Sequence, residues 1–135
     1  MVIVNMERHA AREITFKTSI DPGVTLSLRD SFSFNVEYYD NNSKGIAKYV
    51  HHRQENSPDP RFELSVTMLG YFTCGGVRTE EDKKHAHLQA YGQLFPYMRS
   101  LVAALTAASG MPSMIIPKNA MDWDSIVIDG REGKK

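Results

Sequence analysis

The sequence has little of what most function classes require. It holds one cysteine, Cys74, so no intrachain disulfide can form and a reducing, cytoplasmic setting is expected. It has no excess charge of either sign, with 16 Lys plus Arg against 16 Asp plus Glu. Nucleic acid binding needs surplus Lys and Arg to displace counterions, so nucleic acid is not expected as a partner. The same balance argues against a polybasic membrane-surface protein. No run approaches the roughly 20 apolar residues that span a bilayer, so membrane insertion is not expected. The opening residues MVIVNMERHAARE have no basic segment followed by a sustained apolar stretch, as a secretory leader would.

Catalytic and metal-binding patterns are missing too. Two of the histidine pairs have poor geometry for a shared ligand. His51 and His52 would point to opposite faces of a strand, and His85 and His87 to roughly opposite sides of a helix. There is no HExxH motif and no second cysteine to complete a zinc site. The histidines are therefore expected to be solvated or loosely packed. Cys74 stands before Gly75 and Gly76 without a helix N-terminus or basic partner to activate its thiol, and reads as a packed, inert residue. Gly75-Gly76 is too short for a phosphate-binding loop. No catalytic residue, metal or cofactor is expected, and the protein reads as a non-enzyme.

What is present suits one small domain that associates. A chain of 135 residues with 41% hydrophobic content can form a single core, and a neutral surface offers little self-repulsion. Up to about Phe72 the apolar residues alternate; after about Thr79 they recur at helical spacing. Glu13 to Ile20 alternates and ends at the turn signal Asp21-Pro22-Gly23, and Val24, Leu26 and Leu28 repeat the pattern. Phe32, Phe34, Val36 and Tyr38 follow in strict period two up to the polar turn Asp40-Asn41-Asn42. Lys44 to Gln54 alternates less regularly. Arg61 to Phe72 has Phe62, Leu64, Val66 and Met68 on one side, and Leu69, Gly70 and Tyr71 then disturb the alternation. That glycine suggests a bulge or a close approach by another backbone. Short polar turns between consecutive strands predict antiparallel pairing.

Two helices are expected. The first starts at Thr79, whose side chain can cap free amides, with Glu80, Glu81 and Asp82 at the positive end of the dipole; it should end near Gly92. The second has Pro96 in its first turn and Gly110 at its left-handed stop, and Pro112 bars continuation. From Leu94 to Ser109 its only charge is Arg99. A helix apolar nearly all round needs more than one neighbour, here the sheet and a second subunit. Phe95, Tyr97, Met98, Leu101, Val102 and Leu105 are the candidate oligomer interface. The plainer alternative is a core helix with an alanine-rich outer side. The resulting fold class is α+β, a four-stranded antiparallel sheet packed by two helices. Residues 1–12 form a partly flexible N-terminal segment, 13–121 the domain, and 122–135 a partly flexible tail around Ile126, Val127 and Ile128.

The segment LFPYMRSLVAALTAASGMPSMIIPKN resembles the signature of the SecB family of export chaperones. The family's helix start is matched by Leu94, Phe95, Pro96, Tyr97 and Arg99, and the segment after it by Gly110, Pro112, Ile115, Ile116, Pro117 and Asn119. Ala86, Ala90 and Tyr91 upstream are similar to the family as well. Met111 and Ala120 stand where phenylalanine is usual. The resemblance implies a SecB-like fold assembled as a dimer of dimers, a homotetramer, with sheets continued between subunits and the long helices packed between them. It implies an ATP-independent holdase that binds unfolded or precursor polypeptides in apolar grooves for protein export. Phe62, Met68, Leu69, Tyr71 and Phe72 are the candidate peptide-binding residues; Phe62 and Met68, on the regular inward face, fit the core equally well.

Well-studied members of the family are strongly acidic and dock the SecA motor through an acidic tail. This chain is neutral and reads Arg131, Glu132, Gly133, Lys134, Lys135 at that point, so SecA is the partner least supported. The alternative is a SecB-like, partner-specific chaperone, for example of a toxin–antitoxin system, without export coupling. A small-ligand protein or enzyme using the sheet as a pocket floor lacks the acid–base or metal set it would need.

Overall fold

The structure, a computed structural model, describes residues 1–21, 23–118 and 126. Four strands precede one helix: β1 (Ile3–Thr18), β2 (Leu28–Tyr39), β3 (Lys44–Glu55), β4 (Phe62–Gly75) and α1 (Glu80–Ala108). The strands form one antiparallel sheet in the order β1-β4-β3-β2, so the first strand closes on the last. The tail expected at 122–135 lies outside the described residues except for Ile126, which is buried.

Local chemistry explains most boundaries. The β2–β3 hairpin turns through Asp40, Asn41 and Asn42, all at positive φ (54°, 56° and 62°). Asp and Asn tolerate that region because their short polar side chains compensate locally. The turn is closed by Ser43, whose N–H and hydroxyl both donate to the Asp40 carbonyl, at 3.1 and 2.7 Å. Beside it the Phe72 ring lies directly on Gly45, where any Cβ would collide with the ring. Residues Val24 to Ser27, expected to extend β2, are not strand, and β2 begins at Leu28.

β1 begins at Ile3, well before the alternation that starts at Glu13. Two register shifts against β4, between Met6 and Arg8 and between Ala11 and Glu13, break its period and hide the strand from a pattern reading. In β4 the alternation is not disturbed at all. Gly70 continues the helix-facing series Phe62, Leu64, Val66, Met68 and is followed by Phe72. It is small because a Cβ there would come within 2.7 Å of Met6 Sδ and 3.2 Å of Leu94 Cδ1. The close approach is by side chains, not backbone.

The helical part corrects the expectation of two helices: α1 is continuous from Glu80 to Ala108, with Pro96 inside it. An interior proline removes one backbone bond and costs about 3 kcal/mol. Buried residues on both sides of it, Ala90, Tyr91, Leu94, Phe95, Met98 and Val102, hold the helix on the sheet and offset that cost. The start is as expected and stronger. Thr79 Oγ1 accepts from the Asp82 N–H (3.1 Å), and the Asp82 carboxylate accepts from the Thr79 and Arg78 N–H groups (3.1 and 3.0 Å), a capping box. Gly110 at φ 86° ends the helix as expected. Thr106 Oγ1 then accepts from the Met114 N–H at 2.9 Å, tying the following segment back so that Ile116 enters the core.

Candidate polypeptide-binding surface

Among the described residues the sheet is covered on one side only. Antiparallel partners share a face, so the register sorts every strand residue. The helix lies over Phe34, Val36, Ala47, Tyr49, Phe62, Leu64, Val66, Met68 and Phe72, all buried. An aromatic cluster joins the layers: Tyr91 of α1 packs at 5.8, 5.3 and 5.5 Å from Phe32, Phe34 and Tyr49. The opposite face stands open among the described residues. Its centre is largely apolar, with half-buried Ile46 and Val50 on β3 beside half-buried Tyr71 and buried Thr67 on β4, and half-buried Leu69 between those two. Arg8 stacks over the Tyr71 ring at 4.2 Å. A depression of about 460 Å³ lies between Ile46, Leu69 and Thr67, rimmed by Arg12, Glu13, Asn35, Glu37 and Lys48. Apolar floor with charges of both signs on the rim can hold an apolar side chain and orient a polypeptide around it.

The five candidate peptide-binding residues therefore divide. Phe62, Met68 and Phe72 lie beneath the helix, at most 3% exposed, whereas Leu69 and Tyr71 are on the open face. The six interface candidates divide likewise. Phe95, Met98 and Val102 pack into the chain's own core; Tyr97 is 46% exposed, and Leu101 and Leu105 are half-buried. Strand parity and the 3.6-residue period carry this split, but which face another layer covers is a tertiary property.

Two of the histidines depart from expectation. His51 and His52 do face opposite ways, and so do His85 and His87, but His51 and His87 are each 2% exposed rather than solvated. His87 sits edge-on to Phe34 at 5.0 Å, and burial pushes its imidazole down to about 4. His51 is also lowered by burial, with Nε2 3.6 Å from Asp30, beyond hydrogen-bond length. Asp30 itself is held low by its hydrogen bonds to Arg53. At the sheet's end, the Arg61 guanidinium and its backbone N–H hold the Glu55 carboxyl down to about 2. Cys74 is buried, donates from Sγ to the Asn42 carbonyl at 3.1 Å, and burial pushes its thiol up, so it is not poised as a nucleophile. Among the described residues no three His, Cys, Asp or Glu side chains cluster as a metal site, and no helix is long and apolar enough to cross a membrane.

The chain's four-stranded antiparallel sheet, with β1 beside β4, one face under α1 and the other bare among the described residues, matches a SecB-like fold. One solved structure that the chain resembles is the SecB-like chaperone of Mycobacterium tuberculosis, in complex with a ChAD peptide from the HigA1 antitoxin. Its TM-score is 0.70 over 86% of this chain and 90% of that one, at 17% identity, so the likeness is one of fold. A protein of unknown function from Streptococcus agalactiae matches with TM-score 0.51 at 12% identity, over 87% of this chain and 99% of that one. In sequence, 54 residues, 40% of the chain, are 32% identical to an uncharacterized protein of Methanocaldococcus jannaschii, and the match spans 35% of that protein. No family model matches the chain.

Proposed function

We propose that this protein is an ATP-independent chaperone that holds an extended segment of one partner protein, in the manner of a SecB-like antitoxin chaperone, without export coupling. The observation that carries the reading is the shared fold with a chaperone solved around an antitoxin peptide, over nearly the whole chain. The open face supplies a suitable surface: Ile46, Val50, Leu69 and Tyr71 offer apolar area, and the rim charges offer orientation. Assembly into a tetramer belongs to the same proposal, with Tyr97, Leu101 and Leu105 as the residues each chain leaves available. The unpaired Cys74 suits a cytoplasmic setting.

Generic export holding is the second reading, supported by the resemblance around Leu94 to Arg99 and opposed by the chain's neutral charge. A peptide array combined with a SecA pulldown separates the two. Tight binding to one partner's segment and no SecA capture is the expected result. Broad binding to unrelated unfolded chains together with SecA capture would establish the export reading instead. A monomer by light scattering at micromolar concentration would remove the assembly.

A further inference from the structure

β1 lies at one edge of the sheet, and an edge strand offers a row of main-chain donors and acceptors to any strand that meets it. Part of that row is already taken. Gln89 accepts from the Val4 N–H at 2.9 Å and donates to the Val2 carbonyl at 2.7 Å. Gln93 repeats the pattern one turn later, accepting from the Met6 N–H at 2.9 Å and donating to the Val4 carbonyl at 2.7 Å. The spacing explains the fit: four helical residues rise about 6 Å and two strand residues about 6.7 Å, so successive glutamines track alternate strand residues. A primary amide holds one acceptor and two donors and so imitates the peptide groups of a neighbouring strand. The row ends at the shift between Met6 and Arg8, after which Tyr97, the next residue in the same helical series, stacks on His9 at 3.7 Å.

Among the described residues, the register identifies what remains open. Val4 and Met6 turn outward, so Ile3 and Asn5 bond Gly75 and Thr73; continuing along β4, Thr67, Ser65 and Glu63 engage Glu13, Thr15 and Lys17. The outward groups beyond the second shift are then those of Ile14 and Phe16. A second β1 laid antiparallel about Thr15 would set Glu13 against Lys17 and Ile14 against Phe16, each twice. Opposite charges would meet on the open face. Apolar side chains, including the 47% exposed Ile14, would meet on the helix side, where the Ile14–Phe16 pairs exchange main-chain bonds. Pairing about Ala10 would overlap far more of the strand, but it needs the Val4 and Met6 groups that the glutamines hold.

We propose that Gln89 and Gln93 form a side-chain cap that closes the outer edge of β1 from Val2 to Met6 and so confines pairing with a second copy of this chain to the register centred on Thr15. The inference rests on the self-association reading above and adds the residues that set its geometry. The test uses the full chain with Cys74→Ser, carrying Thr15→Cys or Ala10→Cys, with and without Gln89→Ala/Gln93→Ala. With the glutamines present, Thr15→Cys should crosslink between copies about tenfold more than Ala10→Cys. Without them, the Ala10→Cys crosslink should rise, and the Val4 and Met6 amides should exchange about five- to tenfold faster, as expected for one lost hydrogen bond each. If the double alanine variant does not fold, Gln93→Glu keeps the acceptor, loses the donor and should free the Val4 carbonyl alone. Equal exchange in both proteins, or equal crosslinking at both positions, overturns the cap. Altered exchange with no crosslink at Thr15 overturns the second copy and the assembly reading together, and protection of Ile14 and Phe16 by a client peptide would then identify the occupant.

Discussion

The two faces of the sheet are supplied by the same strands yet differ in what covers them and in what their residues can do. On the helix side, aromatic rings interlock around Tyr91 and Tyr49, and even the histidine nitrogens are cut off from water. On the other side the apolar residues are fewer, half-buried and ringed by Arg12, Glu13, Glu37 and Lys48. The difference teaches that hydrophobic content alone does not mark a binding surface in this chain. Phe62 and Met68 are as apolar as residues on the open face, yet they are buried beneath the helix and unavailable. A surface proposed to receive another polypeptide must combine apolar area with enough charge to stay solvated, and a mixed-charge rim suits both demands.

The comparison can be broken most forcefully from the covered side. Leu94 is fully buried against β1 and β4, and Leu94→Ala should lower unfolding free energy by about 3–5 kcal/mol in a denaturant titration. A loss below about 1 kcal/mol would mean the helix does not pack as described. Acid offers the next largest effect. His87 titrates near 4 in the folded protein against an ordinary value of 6.5, so the unfolded chain takes up its proton first as pH falls. Its contribution is complete above about pH 6.5, is lost through the window from 6.5 to 4, and amounts to up to roughly 3 kcal/mol. His51, also lowered by burial, acts in the same direction. Thermal melts across that window should show the decline, and His87→Leu should flatten it.

Smaller changes sharpen the contrast. Thr79→Ala removes the cap without touching either face and should cost about 1 kcal/mol, with calorimetry as the measure. On the open face, Leu69→Ser with Tyr71→Ser should cost about 1–2 kcal/mol for the pair, less than the single Leu94→Ala, because both residues are only half-buried. The same pair should weaken partner-segment binding by tenfold or more in a titration, as expected when apolar anchors at the centre of a surface are removed. Undiminished binding would move the site elsewhere.

Much of the fold was legible because it depends on local chemistry. Period two in Phe32 to Tyr38 and Phe62 to Met68, the Asp40–Asn42 turn, the Thr79 cap and the Gly110 stop are all where sequence placed them. What escaped has no local signature. The first half of β1 is punctuated by Glu7, Arg8 and Arg12 and shifted twice against its partner, so no alternation survives. The helix runs through Pro96 because packing on both sides outweighs a local penalty that sequence reading takes as a boundary. Leu69 and Tyr71 looked like a broken strand because apolar residues on an open face mimic a lost period. The glutamines that bind β1 carried no signal, since their partners are main-chain atoms more than eighty residues away in sequence.

The sheet order has a consequence for how the chain acquires its shape. β2, β3 and β4 form a meander that can assemble from neighbouring segments, but β1, the first strand synthesised, has its in-sheet partner in β4, the last. Closing that loop carries the largest entropy cost in the sheet. On a ribosome, β1 must therefore wait without its in-sheet partner until β4 has emerged. During that interval its partner-seeking groups are open to misassociation, so refolding yield should fall with protein concentration more steeply than refolding rate.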